Sequence, residues 1–369
     1  MNIIELLKRM STREKVCQLF QGLASFYDGK QEFATGPLAA LNLSEKDLYA
    51  IGSVLNVKGA TEAIEVKKKY IERSNLKIPL LIMQDVIHGY KTIYPVNIAM
   101  ASTFDENIIS ECSSVAAKEA SVAGIDVTFA PMIDVSRDAR WGRSAEGAGE
   151  DTYLGRVCAR AAVQGFQGDF GRYNVAACAK HFVGYGAAES GKDYNVVEMS
   201  YQTLYNTYLP PFEEAIKAGV EMIMSAFHTF DGIPMSANKR LLSDTLRNEL
   251  GFKGTVISDW AAVWETIPHG VCEDEKDAAE ACFAAGVDIE MMTACYLKSL
   301  EKIVESDKAS SAKLDAAVLR ILELKEKLGL FENPFRSASE EECEKYFLCA
   351  EHRDIVRRAA EESVVLLKN

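Results

Sequence analysis

The stretch Thr255-Val256-Ile257-Ser258-Asp259-Trp260 decides the reading of the fold. Its short apolar run has the length and β-branched content of a buried strand, and it ends in a carboxylate followed by an indole. Buried strands that alternate with helices build parallel barrels whose chemistry gathers at the strand C-termini. An acid at such an end is a candidate for chemistry, and it is also what caps a following helix or opens a turn. What the other strands end in decides between the two.

Six further stretches read as strands: 51–57, 79–85, 128–134, 175–182, 221–227 and 287–292. Helical patterns such as 61–73 and 106–123 lie between them, and each spacer is long enough for a right-handed crossover. The fold class expected is α/β, a (β/α)8-type TIM barrel. About seven strands are legible where a closed barrel takes eight, so either one strand escapes the pattern or the barrel is incomplete. A doubly wound open sheet is the competitor, but no GxGxxG follows the first strand.

Outside this alternation, residues 1–50 look helical, with Ser11-Thr12-Arg13-Glu14 as a capping-box signature. A helical pattern runs through 310–328, Asn333-Pro334 breaks it, and 337–346 reads as linker or surface helix. A last helix at 351–362 leads into Ser363-Val364-Val365-Leu366-Leu367-Lys368-Asn369, whose apolar run reads as a strand in need of a sheet. The division expected is a catalytic barrel over 1–335, then linker, helix and first strand of a second α/β domain over 336–369. On this reading the rest of that domain lies beyond residue 369.

Of the 369 residues, 48% are hydrophobic and 26% charged, which describes a globular chain with a large core. With 41 Lys+Arg against 54 Asp+Glu the formal charge is -13, which argues against nucleic acid or an anionic membrane as partner. A neutral substrate fits better. Residues 1–10 carry Glu5, Lys8 and Arg9 and form no secretory signal, and no apolar run has transmembrane length. Nine cysteines without CxxC spacing point to reduced thiols in the cytoplasm, with neither a disulfide framework nor a zinc site. No metal or organic cofactor is expected.

The strand ends, read in order, carry Asp85, then Arg143 with Glu146, then Lys180 and His181, then Phe227, then Asp259 and Trp260. Carboxylate, guanidinium, ammonium, imidazole and indole on one rim suit a polyhydroxylated ligand, which needs polar contacts to hydroxyls and a flat aromatic for its C–H face. Blander readings stand beside this one. Asp85 also suits a turn, Arg143 a pair with Glu146 or Glu150, and Lys180-His181 a solvated strand end; His88 and His228 read as structural. Lys180 as the Schiff-base lysine of a barrel aldolase, and a sugar-binding module without catalysis, are the other functional readings.

Several segments together resemble glycoside hydrolase family 3 in its β-glucosidase branch. They are Gln84-Asp85-Val86-Ile87-His88-Gly89, the run from Ala130-Pro131 to Trp141-Gly142-Arg143 with Ser144-Ala145-Glu146, and Gly149-Glu150-Asp151-Thr152-Tyr153. Ala179-Lys180-His181-Phe182, Gly251-Phe252-Lys253-Gly254 leading into Ser258-Asp259-Trp260, and the segment from Glu361 to Asn369 complete the set. The resemblance implies a retaining exo-β-glycosidase that releases terminal β-D-glucosyl residues from a small or oligomeric β-glycoside, with β-xylosidase as the alternative. It implies Asp259 as nucleophile, helped to stay ionised by cations such as Lys180 or Arg143. Asp85 would hold hydroxyls on the far edge of the sugar, Arg143, Lys180 and His181 the remaining ones, and Trp260 would form an aromatic wall. Phe227 stands where many relatives place Tyr and is read as a pocket wall. The acid/base in this branch resembles a Glu on a second domain starting near Ser363. The family's other solution, a His on the loop after strand four, has no counterpart in 184–194, where Glu189 and Asp193 are the acids.

Overall fold

Eight short parallel strands carry the core in this computed structural model, which describes residues 2–28, 41 and 43–369. They are β1 (Phe20–Leu23), β2 (Ser53–Leu55), β3 (Leu81–Gln84), β4 (Val127–Thr128), β5 (Ala176–Phe182), β6 (Met222–Ser225), β7 (Thr255–Ile257) and β8 (Glu290–Met291). Their order in the sheet is β8-β1-β2-β3-β4-β5-β6-β7, and a parallel bridge from Ile257 to Ile289 sets β7 beside β8. Parallel strands are covered on both faces, so they read as continuous apolar runs without alternation. All seven residues of β5 are buried.

Six of these strands fall within the expected stretches, and β4 starts one residue before its own, overlapping 128–134 at Thr128 alone; the eighth strand is the one the sequence pattern left out. The correction is β1, which lies inside the stretch expected to be helical from 1 to 50. It follows the helix Thr12–Gln18 with no Gly or Pro between them, and its Phe20 and Leu23 continue an apolar pattern that local periodicity cannot divide. Pairing to neighbours on both sides makes it a strand. Residues 1, 29–40 and 42 of the same expectation lie outside the described residues.

The chain divides into two compact units, Met1–Gln84 with Ile233–Arg336, and Asp85–Gly232 with Ser337–Asn369. In the first, β1 pairs with β8 (Phe20 opposite Glu290) and β2 (Gln21 opposite Ser53), and β2 with β3. The capping box forms as expected, with Ser11 Oγ accepting from the Glu14 amide at 3.2 Å and Glu14 Oε2 accepting from the Ser11 amide at 2.9 Å. Two acidic side chains, Asp288 and Glu290, are buried at β8, and each is surrounded by donors, as burial of a polar group requires. Asp288 accepts from Arg247 Nη2 at 2.6 Å, from the Val256 amide at 2.8 Å and from Arg320. Glu290 accepts from Thr293 Oγ1 at 2.6 Å and from the Cys295 and Tyr296 amides at 2.9 and 2.7 Å, which fixes the start of helix Cys295–Ser306.

In the second unit β5 pairs with β4 and β6. Residues 337–369 belong to this unit: Ser337 Oγ donates to the Ser121 carbonyl at 2.8 Å, and helix Ala350–Glu362 places His352 Nδ1 2.8 Å from Glu119 Oε1. Glu119 also accepts from the Lys91 and Thr92 amides at 2.9 and 2.8 Å and from Thr92 Oγ1 at 2.6 Å. Burial opposes its ionisation, but His352 and the Thr92 donors outweigh burial and hold its carboxyl below the usual range. Residues 364–369 form no strand with this unit, and Val364 to Leu367 are 56–92% exposed.

The Asp288 cluster predicts a stability effect. Asp288→Ala leaves two facing guanidinium groups without their shared acceptor, and loss of one member of a buried ion cluster costs about 3–5 kcal/mol. Urea unfolding of the variant reads this directly; a change under about 1 kcal/mol would show that the cluster contributes little.

Candidate active site

Strand β5 delivers two adjacent polar side chains, and its register explains how. From Ala179 to Phe182 it takes three steps against the two steps of β6 from Ile223 to Ser225, so it carries one extra residue, a bulge. Bulges re-aim side chains that a regular pleat would send to opposite faces. Lys180 and His181 are the residues at that point, and both are buried. The blander alternative of a solvated strand end is thereby excluded, and each residue has found a carboxylate.

Lys180 Nζ donates to Asp85 Oδ1 at 2.6 Å, with the lysine side chain 5% exposed and the aspartate 59%. The ammonium is sequestered while its partner keeps a face to solvent. Asp85 is held in place by the next residue, whose amide donates to Thr128 Oγ1 on β4 at 3.2 Å. His181 turns to Asp134, which accepts from both the His181 amide at 2.9 Å and its Nδ1 at 2.8 Å. Burial holds the imidazole well below its usual range, and the Arg143 and Lys180 charges push it the same way, so the ring is neutral. Once Asp134 is ionised it can only accept, so Nδ1 is then the donor. Burial also raises Asp134, to about 7, although the His181 amide and the Arg143 and Lys180 charges pull it down.

Arg143 forms a two-point pair with Glu146, Nε to Oε1 at 2.8 Å and Nη2 to Oε2 at 3.1 Å, which selects Glu146 over Glu150 among the expected partners. Its guanidinium lies 5.8 Å from the ring centroid of Tyr185. Tyr185 is the centre of a buried cluster: Trp141 at 5.2 Å, His181 at 5.4 Å, His228 at 5.5 Å and Phe227 at 6.0 Å. Burial, and then Asp193 beside it, push the phenol upward, so it stays neutral. Gly186, next to it, has no room for a side chain, since a Cβ would lie 2.2 Å from the Val135 carbonyl oxygen. Phe227 is buried, His88 Nδ1 lies 3.3 Å from the Tyr94 carbonyl, and His228 is stacked on Tyr185.

Asp259 and Trp260 belong to the first unit. Backbone bonds link β7 to β8 up to the carboxylate: the Ser258 amide donates to the Ile289 carbonyl at 2.9 Å and the Ala261 amide to the Met291 carbonyl at 3.1 Å. Ser258 Oγ accepts from the Met291 amide at 3.0 Å and donates to the Asp259 carbonyl at 3.0 Å. Asp259 Oδ1 accepts from the Trp260 amide at 2.7 Å. Ala261 then turns with a φ of 58°, which an L-residue adopts only where its surroundings impose it. Asp259 caps no α-helix, since the next one, Glu275–Ala285, is capped by Asp274, but it does open a turn, with the Ala262 amide donating to the Asp259 carbonyl at 3.1 Å. Asp259 is 9% exposed, whereas Trp260 at 47% presents its indole to solvent.

Thus Asp85, Lys180, Arg143, His181 and Phe227 come together in one unit, and Asp259 with Trp260 forms the end of β7 in the other. Asp134, Trp141 and Tyr185 were not singled out from the sequence. Asp134 carried a signal, a carboxylate at the end of a predicted strand; the two aromatics carried none, since local sequence does not show which ring becomes a hub. Among the described residues no group of three His, Cys, Asp or Glu side chains is placed to hold a metal ion, and no helix is long and apolar enough to cross a membrane.

Comparison with known proteins agrees with this architecture. Residues 11–324 match the model of the glycosyl hydrolase family 3 N-terminal domain, and the chain belongs to that family. It is 38% identical over 372 residues to a periplasmic β-glucosidase of Salmonella typhimurium, covering 100% of this chain and 48% of that protein. A β-xylosidase of Formosa agariphila is 37% identical over 297 residues, 76% of this chain and 41% of that one. The β-glucosidase of Listeria innocua solved with glucose superposes with a TM-score of 0.95 at 43% identity, over 100% of this chain and 52% of that one. The eight-stranded parallel sheet is therefore that of a (β/α)8 barrel. The chain spans about half the length of these relatives.

Asp134 sets a dependence of stability on pH. Its carboxyl keeps its proton to about pH 7 in the folded state and loses it near 4 when unfolded. The folded state thus holds the extra proton, so this contribution is fully present below about pH 4 and is lost as pH rises towards 7. Glu290, raised to about 7 by burial, acts with the same sign. Asp134→Asn removes one of the two, so its urea midpoint should fall less than wild type between about pH 4 and 7. Equal falls would mean that Asp134 is ionised throughout.

Proposed function

We propose that this chain supplies the nucleophile-bearing barrel of a retaining, exo-acting β-glycosidase that hydrolyses terminal non-reducing β-D-glucosyl residues. The observation that carries this is Asp259, a carboxylate placed directly after β7 on a backbone bonded to β8. In the proposed reaction the ionised Asp259 attacks the anomeric carbon as the bond to the leaving oxygen breaks, giving a covalent glycosyl ester. A second carboxylic acid protonates the departing oxygen. The same group then takes a proton from water, the water oxygen bonds to the anomeric carbon, and Asp259 leaves as carboxylate. Asp85, Arg143, Lys180 and His181 hold the sugar hydroxyls, and their contacts lower the barrier to the extent that they strengthen in the oxocarbenium-like transition state. Trp260 and Phe227 are the aromatic walls. No metal or cofactor takes part.

The second carboxylic acid is assigned to a Glu in a domain that continues from about residue 363. The half-length match to the relatives supports this assignment. By itself the chain then binds a sugar and attacks it only where the leaving group departs without protonation. Similarity to a β-xylosidase supports a second reading, a preference for xylosides, and relative affinity for xylose and glucose separates the two. The nine cysteines, all free thiols, support a reducing compartment such as the cytoplasm.

An aryl 2-deoxy-2-fluoro-β-glucoside with a good leaving group should esterify Asp259, seen by peptide mass spectrometry on the fragment that contains Trp260. Asp259→Ala should abolish the label, and cellobiose should be turned over at least about a hundredfold more slowly than the activated glucoside. A label on any other carboxylate would refute the assignment, and rapid cellobiose hydrolysis would show that the chain holds its own acid.

A further inference from the structure

Above the buried cluster sits one aromatic ring that the reaction just described does not use. Tyr194 is 52% exposed and lies tilted on Phe227 with ring centroids 4.5 Å apart, while Phe227 itself is 6% exposed. An exposed tyrosine alone is ordinary. The way this one is held is not. Its neighbour Asp193 accepts from Trp141 Nε1 at 2.9 Å, and Trp141 is buried against Tyr185. Three residues earlier, Gly191 brings the loop so close to the segment 140–141 that a Cβ there would meet the Trp141 backbone nitrogen at 2.9 Å. Tyr194 has a φ of 63°, a left-handed conformation that a bulky residue adopts when its surroundings impose it.

The loop therefore sets the ring against Phe227 from one side and leaves about half of it accessible. Polar groups lie inward from it: Lys180 and His181 are buried, at 4% and 1% exposure. His181 and Phe227 both pack on Tyr185, and Tyr194 packs on Phe227, so the exposed ring is the outermost member of an aromatic run that begins at the inner polar groups. A flat ring fixed in place costs little further ordering when it stacks on a flat apolar partner.

We propose that Tyr194 is a specificity-determining residue, a platform for the flat apolar face of the leaving group, either an aryl ring or the C–H face of a second pyranose. The proposal rests on the glycosidase reading above. It separates recognition into two parts: inner polar groups select the terminal sugar, and Tyr194 selects what is attached to it.

Calorimetry on the chain as it stands tests this with three probes: glucose, methyl β-D-glucopyranoside and phenyl β-D-glucopyranoside. Wild type should bind the phenyl glucoside more tightly than the methyl glucoside. Tyr194→Ala should weaken phenyl glucoside binding by about 3- to 10-fold, the span expected for one aromatic pair, and leave glucose and methyl glucoside within about twofold. Tyr194→Phe, which keeps the ring, should behave as wild type. Unchanged affinity of Tyr194→Ala for the phenyl glucoside overturns the platform. An equal loss for all three probes also overturns it, since the residue would then only brace the loop. If wild type binds none of the three, the glycosidase reading fails and this proposal falls with it; selective loss of the phenyl glucoside alone supports both.

Discussion

A parallel strand buried on both faces has no water for its peptide groups, so each of its bonds must be made by a neighbour. Strand β8 shows how much rests on this. It has two residues, Glu290 and Met291, yet the Glu290 amide donates to the Leu19 carbonyl at 2.8 Å on one side, and on the other the Ser258 amide donates to the Ile289 carbonyl at 2.9 Å. The same strand positions Asp259 through the Ser258 hydroxyl and the Ala261 amide. The buried polar residues Asp288 and Glu290 are consistent with the same requirement, since each collects donors that the strand ends and helix starts would otherwise leave unpaired. A carboxylate at the end of β7 is thus held by backbone, the least adjustable part of the chain.

The second unit solves a different problem, the burial of an ammonium and an imidazole side by side. The bulge in β5 places them, and the two carboxylates divide the work by exposure. Asp134 is buried and satisfies the histidine, whereas Asp85 is more than half exposed and keeps a face for a ligand. On the reading adopted here Asp85 contacts substrate and Asp134 positions His181. Tyr185 adds an apolar floor on which Arg143, His181 and Phe227 all rest.

Much of this was legible in one dimension because the constraints are local. An apolar run of four to seven residues bounded by helical pattern marks a buried strand, and a charged residue at its end stands out against that run. Five strand ends brought forward Asp85, Arg143, Lys180, His181, Phe227, Asp259 and Trp260. Strand β1 escaped because nothing in Phe20-Gln21-Gly22-Leu23 separates it from the preceding helix; its conformation comes from the edges of β2 and β8.

By itself the sequence determined the alternation of strand and helix, the residues at the strand ends and the family they resemble, since each depends on residue type and spacing alone. Only the tertiary structure decided what those residues do to one another. That Lys180 meets Asp85 while its neighbour His181 meets Asp134 follows from one extra residue in a strand register. That Tyr185 is a hub and Tyr194 a displayed ring follows from the packing of loops joined by Trp141 and Asp193, 52 residues apart. Burial is the physical reason for the division. It is set by neighbours distant in sequence, and it determines which charges must pair, which rings are covered and which remain open to a ligand.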